Sequence, residues 1–281
     1  MKKQRFWDGL RHYGIIGLVA LFVLLPYYWM IIMSVKPTEE VMLSPPTLVP
    51  SRIVFDNYVE VWSMLPLLQY IKNSLWVAGV TTILCIVCAS LCGYSLSRWK
   101  RRRLQKGVST MILLAQLIPG ALPMIAMYFM IYNAGLTNTY TGLILAYTVW
   151  GFPFCTLMMR SYFSTAIPIS LEESATIDGC SRLGTFFRIA LPISIPGLMA
   201  TAIYSFILAW NEFMWASIIL SDGEKKPVSI GVYSFVGQYG TNTNVAMTVT
   251  TGVLITIPSV ILFGFLQKYL VSGLTAGAVK E

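Results

Sequence analysis

Charge is scarce in this sequence: 11% of its 281 residues are charged against 56% hydrophobic, and the mean hydropathy is +0.67. A soluble domain of this length could not cover its surface with so little polarity, so the composition is that of a membrane protein. There is one histidine, His12, beside the first apolar run, and it implies nothing catalytic. No Gly-x-x-x-x-Gly-Lys-Ser/Thr occurs, so no loop is built to cradle a nucleotide's phosphates. Nor is there a His-Glu-x-x-His, a pair of intramembrane aspartates or a Ser/His constellation, which removes the usual grounds for a membrane-embedded enzyme. The five cysteines suggest no disulfide framework. Cys85, Cys88 and Cys92 share a helix face, but they lie inside an apolar span, where Cys is a common small buried residue, and a metal cluster is the weaker reading. Cys155 also lies within a span, and Cys180 falls in a polar loop.

Long apolar runs are what the sequence does have. Spans are expected at 13–34, 74–96, 108–132, 141–159, 197–220 and 245–265, each about long enough to cross a bilayer. The first is too long for the core of a cleaved signal peptide. A polar, proline-containing segment from Val35 to Lys72 follows it, with one short helix expected near 57–62. Six spans put both termini on one side. Sorted by that topology, fifteen of the twenty basic residues fall on the face with the termini and five on the other. The positive-inside rule therefore predicts cytoplasmic termini: a segment 1–12, a transmembrane domain 13–270 with a cytoplasmic loop 164–192, and a tail 271–281. Pro26, Pro119, Pro123, Pro153 and Pro258 lie within the spans as bends or hinges.

The stretch from Ile167 to Pro192 mixes charge with apolar residues between two long spans. Ser170 followed by Glu173 has capping-box spacing, which predicts a short helix beginning at Leu171. Gly179 suits the left-handed position that ends such a helix, and Ser181 is placed to cap a second one that stops near Pro192. Ser174 and Ala175 leave the first helix a small-residue face, suited to lying close inside another protein's groove. Further on, Glu212 in Trp210-Asn211-Glu212-Phe213 is the one acid well inside a span, and at that depth it must face protein or water.

Glu173-Ser174-Ala175, three residues, Gly179, nine residues, then Ile189-x-Leu191-Pro192 resembles the cytoplasmic-loop signature of ABC-importer membrane subunits. Chance agreement at its six defining positions is on the order of 10⁻⁷ per starting point. Ser174 stands where the family usually has Ala and keeps the side chain small. The Trp-Asn-Glu-Phe run, and the tail through Leu274, Thr275, Ala276 and Gly277, resemble the carbohydrate branch of that family, specifically its second, maltose-type permease subunit.

The resemblance implies an all-α membrane protein, with six transmembrane helices and a cytoplasmic coupling helix in the type I ABC importer transmembrane-domain fold, set in a bacterial or archaeal inner membrane among its lipids. It implies half of a translocation pathway, completed by a second permease subunit, driven by two separate ATPase subunits and supplied with sugar by an extracytoplasmic sugar-binding protein. ATP and magnesium would sit on the partner ATPase, with no cofactor or catalysis in this chain and no nucleic acid involved. Leu171, Glu172, Glu173, Ser174, Ala175, Asp178 and Gly179 would form the coupling helix, with Leu171 and Ala175 making the apolar contact and Glu172, Glu173 and Asp178 pairing with cations at the rim of the ATPase cleft. Trp210, Asn211, Glu212 and Phe213 would line the pathway or gate it, the tail would run along the ATPase interface, and the loop 221–244 would meet the binding protein. The alternative is an ion-coupled secondary carrier, which would want several intramembrane acids or histidines; the spans offer one acid.

Overall fold

The computed structural model describes residues 2–236 and 244–278, with side chains between 11 and 267 apart from 237–243 and Leu266. Its elements are α1 (Lys2–Ser34), α2 (Thr38–Val41), α3 (Asp56–Met64), α4 (Leu67–Ser97), α5 (Arg102–Gln116), α6 (Ala121–Asn133), α7 (Tyr140–Ala166), α8 (Ile169–Ile177), α9 (Arg182–Thr185), a π-helical turn at Phe186–Ala190, α10 (Leu191–Ile193), α11 (Ile195–Asn211), α12 (Met214–Ile219), α13 (Val228–Tyr233) and α14 (Val245–Ala278). Among the described residues there is no strand. Helices satisfy every backbone group within one segment, as a bilayer requires where no water is available.

Four helices carry an uninterrupted span: Arg11–Ser34, Leu67–Ser97, Tyr140–Ala166 and Val245–Phe265. They contain the expected spans 13–34, 74–96, 141–159 and 245–265, and Pro26, Pro153 and Pro258 lie inside them without ending them. The other two expected spans are not continuous. The run 108–132 breaks between α5 and α6 with a 96° bend, because Pro119 can give no amide to the helix and biases Ile118 away from helical backbone. The run 197–220 starts two residues early, at Ile195, and breaks at Glu212 and Phe213 between α11 and α12. The expected short helix near 57–62 is α3.

The chain divides into two compact units, Met1–Leu67 with Gly231–Ile257 and Leu68–Ile230 with Pro258–Glu281. In the first, Met33, Val41 and Ala246 form an apolar cluster flanked by Trp29, Val245 and Val249. The end of α1 is tied down by polar contacts: the Ser34 carbonyl accepts from Asn57 Nδ2 and Thr250 Oγ1, both at 3.3 Å. Lys36 is fully buried, with its ammonium donating to the Thr47 carbonyl and lying 4.9 Å from the centre of the Trp29 ring.

The second unit is organised around α4 and α7. Cys85, Ala89, Cys155, Met159, Phe163 and Ile167 pack in one buried cluster with Phe186 and Ala190 of the π-helical turn. Cys88 and Cys92 are exposed, so the three cysteines of α4 share no buried site. The helices cross closely at Gly93, where an added Cβ would lie 2.8 Å from the Arg160 amide nitrogen and 2.9 Å from Met159 Cβ. Small residues at such a crossing let backbones approach, which stands in for the hydrophobic drive that lipid does not supply.

At the Asn73 end of α4 a polar lattice fixes the segment 221–227. Asn73 Nδ2 donates to the carbonyls of Glu224 (2.8 Å) and Lys226 (2.9 Å), while its Oδ1 accepts from Tyr140 Oη and Gln69 Nε2, each at 2.8 Å. Asn138, at φ 56°, accepts the Asp222 amide on its Oδ1 at 3.0 Å, and its carbonyl takes Lys225 Nζ at 3.1 Å. From sequence this segment read as an ordinary loop; the lattice makes it a fixed surface.

Replacing Gly93 by Val should separate α4 from α7 and lower stability by about 1–3 kcal/mol, read as a lower melting midpoint in detergent. Gly79→Ala on the same helix, where nothing lies within 4 Å, should leave the midpoint unchanged or raise it; equal losses at both sites would show that the crossing is not the tight point.

Candidate coupling site

α7 gives way to an extended residue, Ile167, and α8 begins at Ile169 with Pro168 as its N-cap. This corrects the expected capping box. Pro168 imposes the chain's entry into the helix and needs no amide partner, so the helix starts two residues early and Ser170 falls inside its first turn. The Ser170 carbonyl instead accepts from Ser174 Oγ at 3.0 Å.

The other end of α8 is as expected. Gly179 has φ 86°, Cys180 N donates to the Ala175 carbonyl at 2.9 Å, and Gly179 N to that of Thr176 at 3.1 Å. This pair of bonds is the Schellman closure, and it needs the left-handed backbone that glycine adopts without cost to a Cβ. Ser181 then caps the next helix through the Gly184 amide at 3.1 Å. That helix does not stop at Pro192. It opens into the π-helical turn, where Leu191 N reaches back to the Phe186 carbonyl, and passes Pro192 before bending by 76° at Ser194. Proline removes the amide that would bond four residues back and crowds that carbonyl, and widening the helix accommodates both.

Arg98, one residue beyond α4, joins this loop to the rest of the unit. Its Nε donates to both Glu172 oxygens (2.9 and 3.0 Å) and its Nη2 to Oε1 (2.7 Å) and to the Ile167 carbonyl (3.0 Å). Tyr94 Oη donates to Glu172 Oε2 at 3.1 Å. The pair is largely shielded, with 16% and 13% of the two side chains exposed. The Tyr94 ring lies 5.3 Å from that of Phe163 and 4.9 Å from that of Phe186. One turn of α4 thus holds both arms of the loop, the first through a planar charge-assisted fork and the second through aromatic contact.

Two expected outward contacts are therefore corrected: Glu172 turns inward to Arg98, and Ala175 is buried against its own chain. Glu173, Asp178, Leu171 and Ser174 are exposed. The most exposed apolar residues of α8 are Ile177 at 86% and Ile169 at 60%, which the sequence had not singled out. Arg98 and Tyr94 were also missed. Arg98 is the first cation after a span, and that position reads as one more topogenic charge.

At the break in the fifth expected span, Glu212 accepts the Trp215 amide at 2.9 Å and the Ala216 amide at 3.2 Å, closing the start of α12, while its own carbonyl takes Ser229 Oγ at 2.6 Å. An intramembrane carboxylate is accommodated here by backbone amides and by the favourable end of a helix. Trp210 is buried and stacks on Phe206 at 5.6 Å; Asn211 is exposed, and Phe213 is partly buried. Leu274, Thr275, Ala276 and Gly277 lie in the helical backbone of α14, with side chains outside the described ones.

Residues 82–276 match the family described as binding-protein-dependent transport system inner membrane component. The chain is 35% identical over 264 residues to the diacetylchitobiose uptake system permease protein DasC of Streptomyces coelicolor, covering 93% of this chain and 94% of that protein. It is 37% identical over 267 residues to the trehalose/maltose transport system permease protein MalG of Thermococcus litoralis, covering 94% of each. Among solved structures, a chain of a bacterial ABC transporter involved in the import of the acidic polysaccharide alginate aligns at TM-score 0.75 and 22% identity over 96% of this chain and 98% of that one, a likeness of fold. The expected all-α importer fold is thus the observed one, and the chain belongs to the binding-protein-dependent transport inner-membrane component family, as a multi-pass membrane permease.

Proposed function

We propose that this chain forms half of the translocation pathway of an ATP-driven sugar importer and that α8 is the peg by which separate ATPase subunits move it. Its partners are a second permease subunit, two ATPases carrying ATP and magnesium, and a sugar-binding protein outside. The sugar class is suggested by relatives named for diacetylchitobiose, trehalose/maltose and arabinooligosaccharides. The excess of basic residues on one face supports a cytoplasmic position for both termini and α8; in that orientation the segment 221–227 faces outward, where its lattice offers a fixed surface to the binding protein.

The observation that supports coupling most strongly is the fork at Arg98. A peg transmits a stroke only if it cannot swivel, and α8 is held at Glu172 and Ile167 by Arg98 while Ile169, Glu173 and Ile177 are exposed. ATP binding closes the motors and carries the pegs inward, the cavity opens outside to take the sugar, and hydrolysis resets it. Asn211, an exposed amide at the break before α12, faces the pathway in this reading.

Arg98→Ala should leave Glu172 without its counter-ion, at somewhat less than the about 3–5 kcal/mol that breaking a fully buried pair costs. The variant should insert normally and retain ATP hydrolysis in the assembled transporter, with sugar uptake reduced at least tenfold. Arg98→Lys, which keeps the charge and loses the fork, should fall between the two. Wild-type uptake by Arg98→Ala would rule out the coupling role of the fork.

A cysteine at Ile177, in a chain freed of its exposed cysteines, should crosslink to an ATPase subunit, whereas one at buried Ala175 should not. Absence of any ATPase adduct from Ile177 would remove α8 as the peg. Asn211→Ala should raise the sugar concentration for half-maximal uptake several-fold with little change in basal ATP hydrolysis; an unchanged value would place Asn211 off the pathway.

A further inference from the structure

α8 shares a cleft with the turn between α4 and α5. The cleft has a volume of about 670 Å³, within the range of small-molecule pockets, and its wall includes Trp99, Lys100, Arg101, Thr176 and Arg182 alongside the Arg98–Glu172 pair. Glu173 also lines it. Among the described residues, Arg98 and Lys225 are the cations with a carboxylate within ion-pair distance, so Lys100, Arg101 and Arg182 have none, and neither do Arg102, Arg103 and Lys106 just beyond. With Arg98 and Glu172 neutralising one another, the cleft keeps three uncompensated cations against the single carboxylate of Glu173.

Position says what such a cleft is suited to hold. Arg98 follows directly on the last residue of an apolar 31-residue helix, so the turn 98–101 lies at the level of the lipid headgroups. Trp99 is 44% exposed there, and an indole at that level favours the boundary between acyl chain and headgroup. Four or more Lys and Arg immediately beyond a transmembrane helix are a pattern that attracts anionic lipid. We infer that an anionic phospholipid of the adjoining leaflet seats its phosphate in this cleft, between Lys100, Arg101 and Arg182, with Trp99 against its glycerol and upper acyl region. The lipid would bridge the end of α4 to α8 and α9, the same joint that Arg98 makes, so that leaflet composition sets how firmly the peg is held. This rests on the proposed orientation for the leaflet concerned, and not on the transported solute.

The test is native mass spectrometry and intrinsic fluorescence on the detergent-solubilised transporter titrated with phosphatidylglycerol, with phosphatidylcholine and with inorganic phosphate. Phosphatidylglycerol should be retained as a discrete adduct and should shift the Trp99 emission, a change absent in Trp99→Leu. Lys100→Gln, Arg101→Gln and Arg182→Gln combined should bind it at least tenfold more weakly, with an elution profile and melting midpoint like those of wild type. Equal retention of phosphatidylcholine, or undiminished phosphatidylglycerol binding by the triple variant, would overturn the site. Displacement of the lipid by inorganic phosphate at matched concentration would overturn the lipid assignment in favour of a soluble phosphate ligand. Since the readout is lipid retention, its failure would leave ATP-driven uptake intact, and failure of uptake would leave lipid retention intact.

Discussion

The ion pair between Arg98 and Glu172 is the constraint on which the geometry of the loop between α7 and α11 depends. A lysine ammonium could neutralise Glu172 as a point charge, but the planar guanidinium presents a rigid fork that engages both carboxylate oxygens and the Ile167 carbonyl at once. Shielding two charges from water is costly, and the cost is offset here because the Tyr94 hydroxyl and the Ile167 carbonyl occupy positions that water would otherwise fill. The result is stiffness more than net stability: the start of α8 has one orientation relative to the end of α4. Phe186 against Tyr94 adds the return arm of the loop to the same turn, and the π-helical register forced ahead of Pro192 is what brings Phe186 and Ala190 into one buried cluster.

α4 gives that joint its reach. From Ser97 to Asn73 it is continuous helix, roughly 36 Å at 1.5 Å per residue, and at the far end Asn73 grips the segment 221–227 through two carbonyls. Halfway down, Cys85 and Ala89 pack against α7, and near the Arg98 end Gly93 draws the two helices together. A rod fixed at both ends to polar lattices and along its length to a second helix moves as one body. In the proposed cycle this is how a displacement of α8 is felt on the opposite side of the membrane without any chain of weak contacts in between.

What could be read from the sequence was local. Gly179 and Ser181 act within three or four residues of themselves, so the left-handed closure of α8 and the cap of α9 follow from residue type and spacing. Four of the expected spans fall within long continuous helices, because some twenty consecutive apolar residues have few other uses. The start of α8 is also a local matter: Ser170 with Glu173 has the spacing of a cap, but Pro168 is the stronger signal, because it fixes the entry angle by itself. The Arg98–Glu172 pair was not legible, because 74 residues separate its members and each has a bland reading alone, as a topogenic cation and as a solvated acid. Ala175 misled for a related reason: a small residue on a short helix packs equally well against its own chain or another, and only the burial of the facing cluster decides. The break at Glu212 was hidden by apolar neighbours that would suit a continuous span. The one clue was the acid itself, whose carboxylate in a bilayer must find donors, and the nearest donors are amides freed by ending a helix.

That last point bears on how the chain is powered. An ion-coupled carrier needs a carboxylate that gains and loses its proton or cation as the protein cycles, with room for water or an ion beside it. Glu212 is the acid within the expected spans, and its two oxygens are taken by the Trp215 and Ala216 amides, so that releasing them would unwind the start of α12. A group that holds a helix end together is poorly suited to binding and discharging an ion in every turnover. The opposite arrangement holds at α8, where Glu173, Asp178 and Ile177 are exposed. Acidity is locked in place within the membrane and left free outside it, the distribution expected of a transporter that receives its work through a contact with another protein.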